Sequence, residues 1–179
     1  MKYFSQFPLI NYDITGLKSN YKAVVNIWRR TKVRSKIVNQ IANFDRYDVQ
    51  EGESPEIVAY KVYGDTDLFW IICLMNDIHN RYYDWPLDEF NFQQYVADKY
   101  DNPDGVHHFE ITQKSGKQIG DGPADFSHKL EVNSTTPGAV SVSNIQHERR
   151  LQDELRQIKI LPPNFVNAFV DEFRDLINS

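Results

Sequence analysis

The chain has 179 residues, of which 41% are hydrophobic, 13% aromatic and 25% charged, and a formal net charge of −5. That apolar bulk suffices for a real core and excludes intrinsic disorder, while a single cysteine, Cys73, excludes a disulfide framework and a cysteine metal site. No segment is apolar enough to cross a bilayer and residues 1–10 lack the apolar run of a secretion signal, so the expectation is a soluble chain made in a cytoplasm, forming one domain or one domain with an insertion.

The charge is unevenly spread. Residues 16–46 carry eight basic side chains (Lys18, Lys22, Arg29, Arg30, Lys32, Arg34, Lys36 and Arg46) against Asp45, a local +7, whereas residues 47–105 carry thirteen acids against Lys61, Arg81 and Lys99, a local −10. Such asymmetry points to association, between the two stretches, with neighbouring subunits or with a polyanion; solvated faces with internal pairing are the plain alternative. Within the basic arm, Val24, Val25, Ile27 and Trp28 lie among Lys22, Asn26 and Arg29, which suits a short helix or a docked extended arm. A single aromatic among motif-free basic residues, beside a strongly acidic region, argues against nucleic acid as the partner.

Residues 47–50 alternate Tyr47 and Val49 with Asp48 and Gln50, the pattern of a half-buried strand, and Glu51-Gly52 turns the chain out of it. Ser54 is placed to cap a helix, Pro55 occupies its first position, Glu56 complements its positive end and Gly64 stops it. Asp65 and Thr66 cap a second helix, in which residues 68–75 are an unbroken apolar run containing Trp70 and Cys73, ended by Asn76-Asp77. This run is a core helix, and a thiol inside it is hidden and hard to ionise.

Tyr82-Tyr83-Asp84-Trp85-Pro86 forms an aromatic knot. A helix over about 88–100 follows, with Phe92, Tyr95, Val96 and Tyr100 at helical spacing, closed by Asn102-Pro103-Asp104-Gly105. Residues 106–113 and 117–119 flank Lys114-Ser115-Gly116 as a hairpin, and residues 120–143 read as loops with at most short strands. Residues 145–156 are helix-favouring, and residues 157–161, with Ile158 and Ile160, read as a strand halted by Pro162-Pro163. Asn164 then caps a last helix whose Phe165, Val166, Phe169, Val170, Phe173, Leu176 and Ile177 form one stripe opposite Asp171, Arg174 and Asp175. That stripe serves either docking on the chain's own core or insertion into a partner's groove.

No catalytic, cofactor or metal constellation emerges. His107 and His108 are adjacent on a strand, so their side chains should point to opposite faces, and His79, His128 and His147 have no partner at a ligand-like spacing. Asp65-Thr66-Asp67 lacks the glycine and distal glutamate of a calcium loop, and no phosphate loop or nucleophile elbow is present. Glu51 and Glu53, as two acids beside a turn, read as solvated rather than as a glycosidase pair.

From Tyr47 to Asn76, the tyrosine strand, the capped helix, the Gly64-Asp65-Thr66 turn and the apolar helix resemble a LysM module. A longer likeness covers most of the chain. The stretch S-P-E-I-V-A-Y-K-V-Y-G-D-T-D-L-F-W-I-I-C-L-M-N-D with Y-Y-D-W after it, the upstream N-I-W-R-R and the distant E-L-R-Q-I-K-I-L are similar in order and separation to the LysM-containing baseplate wedge subunits (wedge protein fifty-three) of T4-like contractile-tail bacteriophages. The matching positions include Ile27, Trp28, Arg29, Pro55, Tyr63, Gly64, Trp70, Asn76, Tyr83, Trp85, Ile158 and Ile160.

The resemblance implies a non-catalytic structural protein of the virion tail baseplate, assembled in the host cytoplasm. It would join neighbouring wedges and contact the core-bundle and sheath-initiating wedge subunits, with no nucleic acid, membrane, cofactor or small-molecule substrate. The interface candidates are then Trp28, Arg29, Arg30 and Arg34 in the basic arm and Phe169, Val170, Phe173 and Ile177 in the last helix. Tyr47, Ser54, Pro55, Tyr63, Gly64, Thr66, Trp70, Asn76, Tyr83, Trp85, Ile158 and Ile160 are read as fold-determining.

The chain departs from an ordinary LysM module, whose closing strand follows its second helix directly. Here Ile158-Lys159-Ile160-Leu161-Pro162 has that pattern only after an insertion. The expected fold is therefore α+β, a LysM-like βααβ core with an inserted helix plus β-hairpin/loop region and a C-terminal amphipathic helix, strand 47–50 pairing antiparallel with 157–161. Its expected parts are a basic arm (1–46), the first part of the core (47–80), the insertion (81–153), the returning strand (154–163) and the last helix (164–179). The rival function is a LysM-type peptidoglycan-binding module of a cell-wall-associated or tail lysin protein, although the insertion replaces the loops that a glycan groove needs.

Overall fold

The computed structural model describes residues 2–18, 20–29, 44–113 and 128–179. In chain order its elements are β1 (Leu9–Asp13), β2 (Tyr21–Val25), β3 (Asp45–Asp48), α1 (Pro55–Tyr63), α2 (Phe69–Met75), α3 (Glu89–Lys99), β4 (Val106–Gln113), β5 (His128–Val132), β6 (Val140–Ser143), α4 (Asn144–Arg156), β7 (Gln157–Ile160) and α5 (Val166–Asn178). The fold is mixed α+β, and the chain divides into two compact units, Met1–Pro86 with Arg156–Ser179, and Leu87–Leu155.

In the first unit β3 and β7 pair antiparallel, Asp45 opposite Ile160 through Asp48 opposite Gln157; the two expected strands are partners, but the first begins and ends two residues before the expected 47–50. The pairing runs one step further through the Val49 N–H, which donates to the Arg156 carbonyl at 2.9 Å. On the other edge of β7 the Asn76 side chain acts as a short strand: its amide oxygen accepts the Lys159 N–H at 2.8 Å and its nitrogen donates to the Lys159 carbonyl at 2.8 Å. Both edges of β7 are thereby occupied, which an exposed strand edge otherwise leaves open.

The two helices between these strands start and stop where local chemistry directs. The Ser54 hydroxyl accepts the Ile57 N–H at 3.4 Å, Pro55 is the first helical residue, and Gly64, at φ 73°, donates its N–H to Tyr60 O at 2.9 Å. The second cap is Asp65 alone, whose carboxylate accepts the Asp67 N–H at 2.9 Å; Thr66, expected to share that role, opens a 3-10 turn leading into α2. Asn164 is likewise no cap. It lies inside a 3-10 turn imposed by the prolines, in which the Phe165 N–H donates to Pro162 O at 3.0 Å.

α2 feeds two clusters of buried side chains. Ile72 packs with Val49, Val58, Ala59, Trp85, Ile158 and Ile160, while Trp70 and Ile71 pack with Phe7, Leu68, Leu161 and the stripe of α5. The Trp70 ring lies 4.8 Å from that of Phe173 and 6.1 Å from that of Phe169. Of the two uses open to the last helix the structure has the self-docked one: Phe169, Val170, Phe173 and Ile177 are buried in the chain's own core. Tyr63 closes the layer by donating its hydroxyl to Leu161 O at 3.0 Å, and burial pushes that phenol up to about 12.

Glu53 departs most from its sequence reading. It is buried, not solvated, and its carboxylate accepts from the Tyr47 hydroxyl at 3.0 Å, the Gln50 N–H at 2.8 Å and the Lys61 ammonium, while its carbonyl accepts the Trp85 indole N–H at 2.7 Å. Burial opposes its ionisation, but the Lys61, Gln50 and Tyr47 donors outweigh that and hold it below the usual carboxylate value.

The residues before β3 form an antiparallel hairpin, Leu9 opposite Val25 through Asp13 opposite Tyr21. The stretch read as a short helix or extended arm is thus strand at residues 21–25. Asp13 fixes the turn by accepting the Thr15 N–H at 3.0 Å and hydroxyl at 2.8 Å.

The second unit is a three-stranded antiparallel sheet in the order β5-β4-β6 with α3 and the body of α4. Asp88 caps α3 by accepting the Asn91 N–H at 2.8 Å, and Phe92, Val96 and Val142 are buried. β4 pairs with His128–Val132; the turn and strand expected at 114–119 lie outside the described residues.

Trp70→Ala should lower unfolding stability by about 3–5 kcal/mol, and Asn76→Ala by about 1–2 kcal/mol through the two Lys159 bonds; urea denaturation of each variant measures this, and unchanged midpoints would remove Trp70 from the core and Asn76 from the edge of β7. Glu53 titrates lower in the folded than in the unfolded chain, so its contribution is present above pH 4.5 and is lost as pH falls below that value. Glu53→Gln should flatten the acid limb of a stability–pH curve, and a limb parallel to the wild type would refute the assignment.

Candidate functional site

The β1–β2 hairpin and the turn after it leave their large apolar side chains in solvent. Leu9, Tyr12, Ile14, Leu17, Tyr21, Ile27 and Trp28 are exposed, Leu17 at 76% and Trp28 at 85%. Isolated exposed apolar residues are ordinary, but seven on one small hairpin and the turn after it, spread over both faces of the ribbon, are the kind of display that marks an interaction surface. Of the arm's four interface candidates, Trp28 lies on this surface, and Arg30 and Arg34 lie outside the described residues. Arg29 has an internal role: its guanidinium donates to Ile177 O at 2.7 Å, satisfying a carbonyl in the last turn of α5, where a cation also complements the helix dipole.

The aromatic knot splits in two. The Asp84 carboxylate accepts the His79 and Asn80 N–H groups at 2.9 and 2.8 Å, and in this turn Tyr82 and Tyr83 are exposed while Trp85 is buried. Tyr83, grouped with the fold-determining residues from sequence, is a surface side chain.

In the second unit the histidines assemble after all. Strand β4 shifts register against β6 between Val106 and His108, so strict alternation fails at His107, and the two imidazoles expected on opposite faces meet with their Nδ1 atoms 2.8 Å apart. His147 of α4 stacks on His107 with ring centroids 3.9 Å apart and planes 12° from parallel. One ring nitrogen from each of the three lies within 4.8 Å of the others. Burial, then the His107 charge, lowers the His147 pKa.

Two buried carboxylates flank the cluster. Glu110 lies 3.8 Å from His108 Nε2, accepts both Arg150 amino groups at 2.7 and 3.0 Å and the Lys129 ammonium at 3.1 Å, and is held at about 2, chiefly by Arg150. Glu148, beside His147, accepts from Lys99 Nζ at 2.8 Å and the Tyr100 hydroxyl at 2.7 Å. Sequence reasoning missed the cluster because one register shift and the approach of His147 on a separate helix create it, and neither leaves a spacing motif. Elsewhere Glu51 pairs with Arg156 at 3.1 Å, and burial pushes the Cys73 thiol up to about 11.

Among known proteins, the chain matches a family model described as base plate wedge protein 53 over residues 2–176. It is also 24% identical over 181 residues to the baseplate wedge protein gp53 of Enterobacteria phage T4, an alignment covering 94% of this chain and 92% of the relative.

The division of the aromatic knot is testable by substitution. Trp85→Phe, which removes the indole donor to Glu53 and leaves a gap, should cost about 1–3 kcal/mol, whereas Tyr83→Ser should stay within about 0.5 kcal/mol of the wild type. Equal losses in thermal denaturation would contradict the assignment.

Proposed function

The chain belongs to the base plate wedge protein 53 family, which makes it a structural component of a phage tail baseplate, and we propose that it acts there by binding alone, joining neighbouring wedges to one another and to the core-bundle and sheath-initiating wedge subunits. The observation that carries this reading is the N-terminal hairpin. A two-stranded hairpin is marginal in water by itself, and this one keeps Leu17, Ile27 and Trp28 exposed. Burying one such side chain contributes about 1.5–3 kcal/mol, so docking against a neighbour stabilises both the hairpin and the joint. Exposed Trp28 suits the centre of that contact, since buried tryptophan dominates interface energetics.

The remaining parts divide the labour. The surplus of basic residues over 16–46 steers the encounter and fixes register, an effect that salt screens. We read the β3-α1-α2-β7 core as a LysM-like scaffold whose role is to hold the arm. α5 belongs to that scaffold and not to the joint, because removing residues 164–179 would strip Val166, Phe169, Val170, Phe173 and Ile177 from the core. Assembly takes place in the host cytoplasm and the finished position is the virion baseplate.

Trp28→Ala and Leu17→Asp should each leave the stability of the free subunit within about 0.5 kcal/mol and block its incorporation into reconstituted baseplates, with wild-type assembly slowing as salt rises. Normal incorporation of both variants would end the arm-docking reading. Retention of the intact protein on insoluble peptidoglycan would move the function to the cell wall.

A further inference from the structure

We propose that His107, His108 and His147 form a binding site for a divalent transition-metal cation, with zinc the best fit, which clips strand β4 to helix α4. The chemistry of the donors selects the class of ion. Three imidazoles suit Zn²⁺, Co²⁺, Ni²⁺ and Cu²⁺, whereas Mg²⁺ and Ca²⁺ require oxygen ligands that this cluster does not present first.

The geometry is close to what binding needs. Zinc–nitrogen bonds of about 2.0–2.1 Å place two ligands of a tetrahedral site roughly 3.3–3.4 Å apart. The His107 and His108 nitrogens, now 2.8 Å apart, have to open by about half an ångström, and the widest pair of ligand atoms, within 4.8 Å, has to close by up to about 1.4 Å. His107 is exposed and the other two are half-buried, which leaves the rings room to rotate toward a common point. The register shift at His107 is the local irregularity that aims two neighbouring side chains at one point.

The surroundings fit a ligated state. With His108 binding through Nδ1, its proton resides on Nε2, which faces the Glu110 carboxylate at 3.8 Å; Arg150 and Lys129 hold that carboxylate in place. A carboxylate behind a ligating histidine is the usual way in which tautomer and ring orientation are fixed. Glu148, paired with Lys99, supplies the second nearby acid on the α4 side. The exposure of His107 leaves a path for the cation and room for water as a fourth ligand. Three protein ligands from a strand and a helix make the ion a cross-link within the second unit, independent of how the hairpin meets its partners.

The full chain, treated with chelator and then titrated with Zn²⁺ by calorimetry, should bind one equivalent, and Co²⁺ should give the visible absorption of a tetrahedral site. His107→Gln, His108→Gln and His147→Gln should each weaken Zn²⁺ binding by about tenfold or more, while His79→Gln leaves it unchanged. A measurement that needs no variant accompanies these: Zn²⁺ should shield the three histidines from diethylpyrocarbonate and leave His79 reactive, and Mg²⁺ should shield none. Zn²⁺ binding that is equally tight in His147→Gln, or absent in the wild type, or shielding that does not separate His147 from His79, would overturn the site.

Discussion

The first unit depends on one short antiparallel contact, β3 against β7, and on what closes its outer edge. Two strands of four residues each do not hold together in water alone. They hold here because β7 is paired on one side by β3 and on the other by the Asn76 side chain, and because Ile158 and Ile160 carry its inner face into the cluster around Ile72. Asn76 occupies that position because α2 ends at Met75, with Asn76 as the C-cap donating its N–H to Ile72 O and Asp77 turning the chain at φ 53°. Glu53 fixes the turn between β3 and α1 in the same way, gathering donors from Tyr47, Gln50 and Lys61.

How much of this was legible in sequence follows from the range of each interaction. Ser54-Pro55, Gly64 and Asn76-Asp77 act on backbone groups within a few residues, and the boundaries they announce are the ones the structure has. That a strand near residues 47–50 pairs with 157–161 was readable because both segments alternate and both are bounded by turn or proline signals, although the paired residues are 45–48 and 157–160. The β1–β2 hairpin left no such trace: its strands are mostly exposed on both faces, so no alternation is imposed on them. Glu53 and the three histidines are products of tertiary approach, Trp85 reaching back 32 residues to the glutamate and α4 bringing His147 to β4. The misread caps at Thr66 and Asn164 share a cause: a 3-10 turn precedes each helix and shifts the capping position.

Charge follows the same logic. The acids of residues 47–105 that become buried are served by cations placed beside them in the fold, Lys61 for Glu53, and, in the second unit, Arg149 pairs with Glu89 on the surface of α3. Only the buried pairs carry weight, since exposed pairs such as Arg174 with Asp171 contribute little in water. The first unit is therefore a scaffold stabilised by a few buried polar junctions and two apolar clusters, from which the hairpin side chains Leu9, Tyr12, Leu17 and Tyr21 stay exposed.

The discontinuity of the first unit bears on how the chain is made. β3 leaves the ribosome roughly 110 residues before its partner β7, a wait of about 5–20 s at ordinary rates of translation. The residues of the second unit are contiguous and emerge within that interval, so they can complete their sheet while the apolar α2 still lacks the stripe of α5. The Arg29 guanidinium meets its acceptor, Ile177 O, later still. A prematurely terminated chain therefore carries the exposed hairpin without the Ile177 acceptor that ties Arg29 to the last turn of α5.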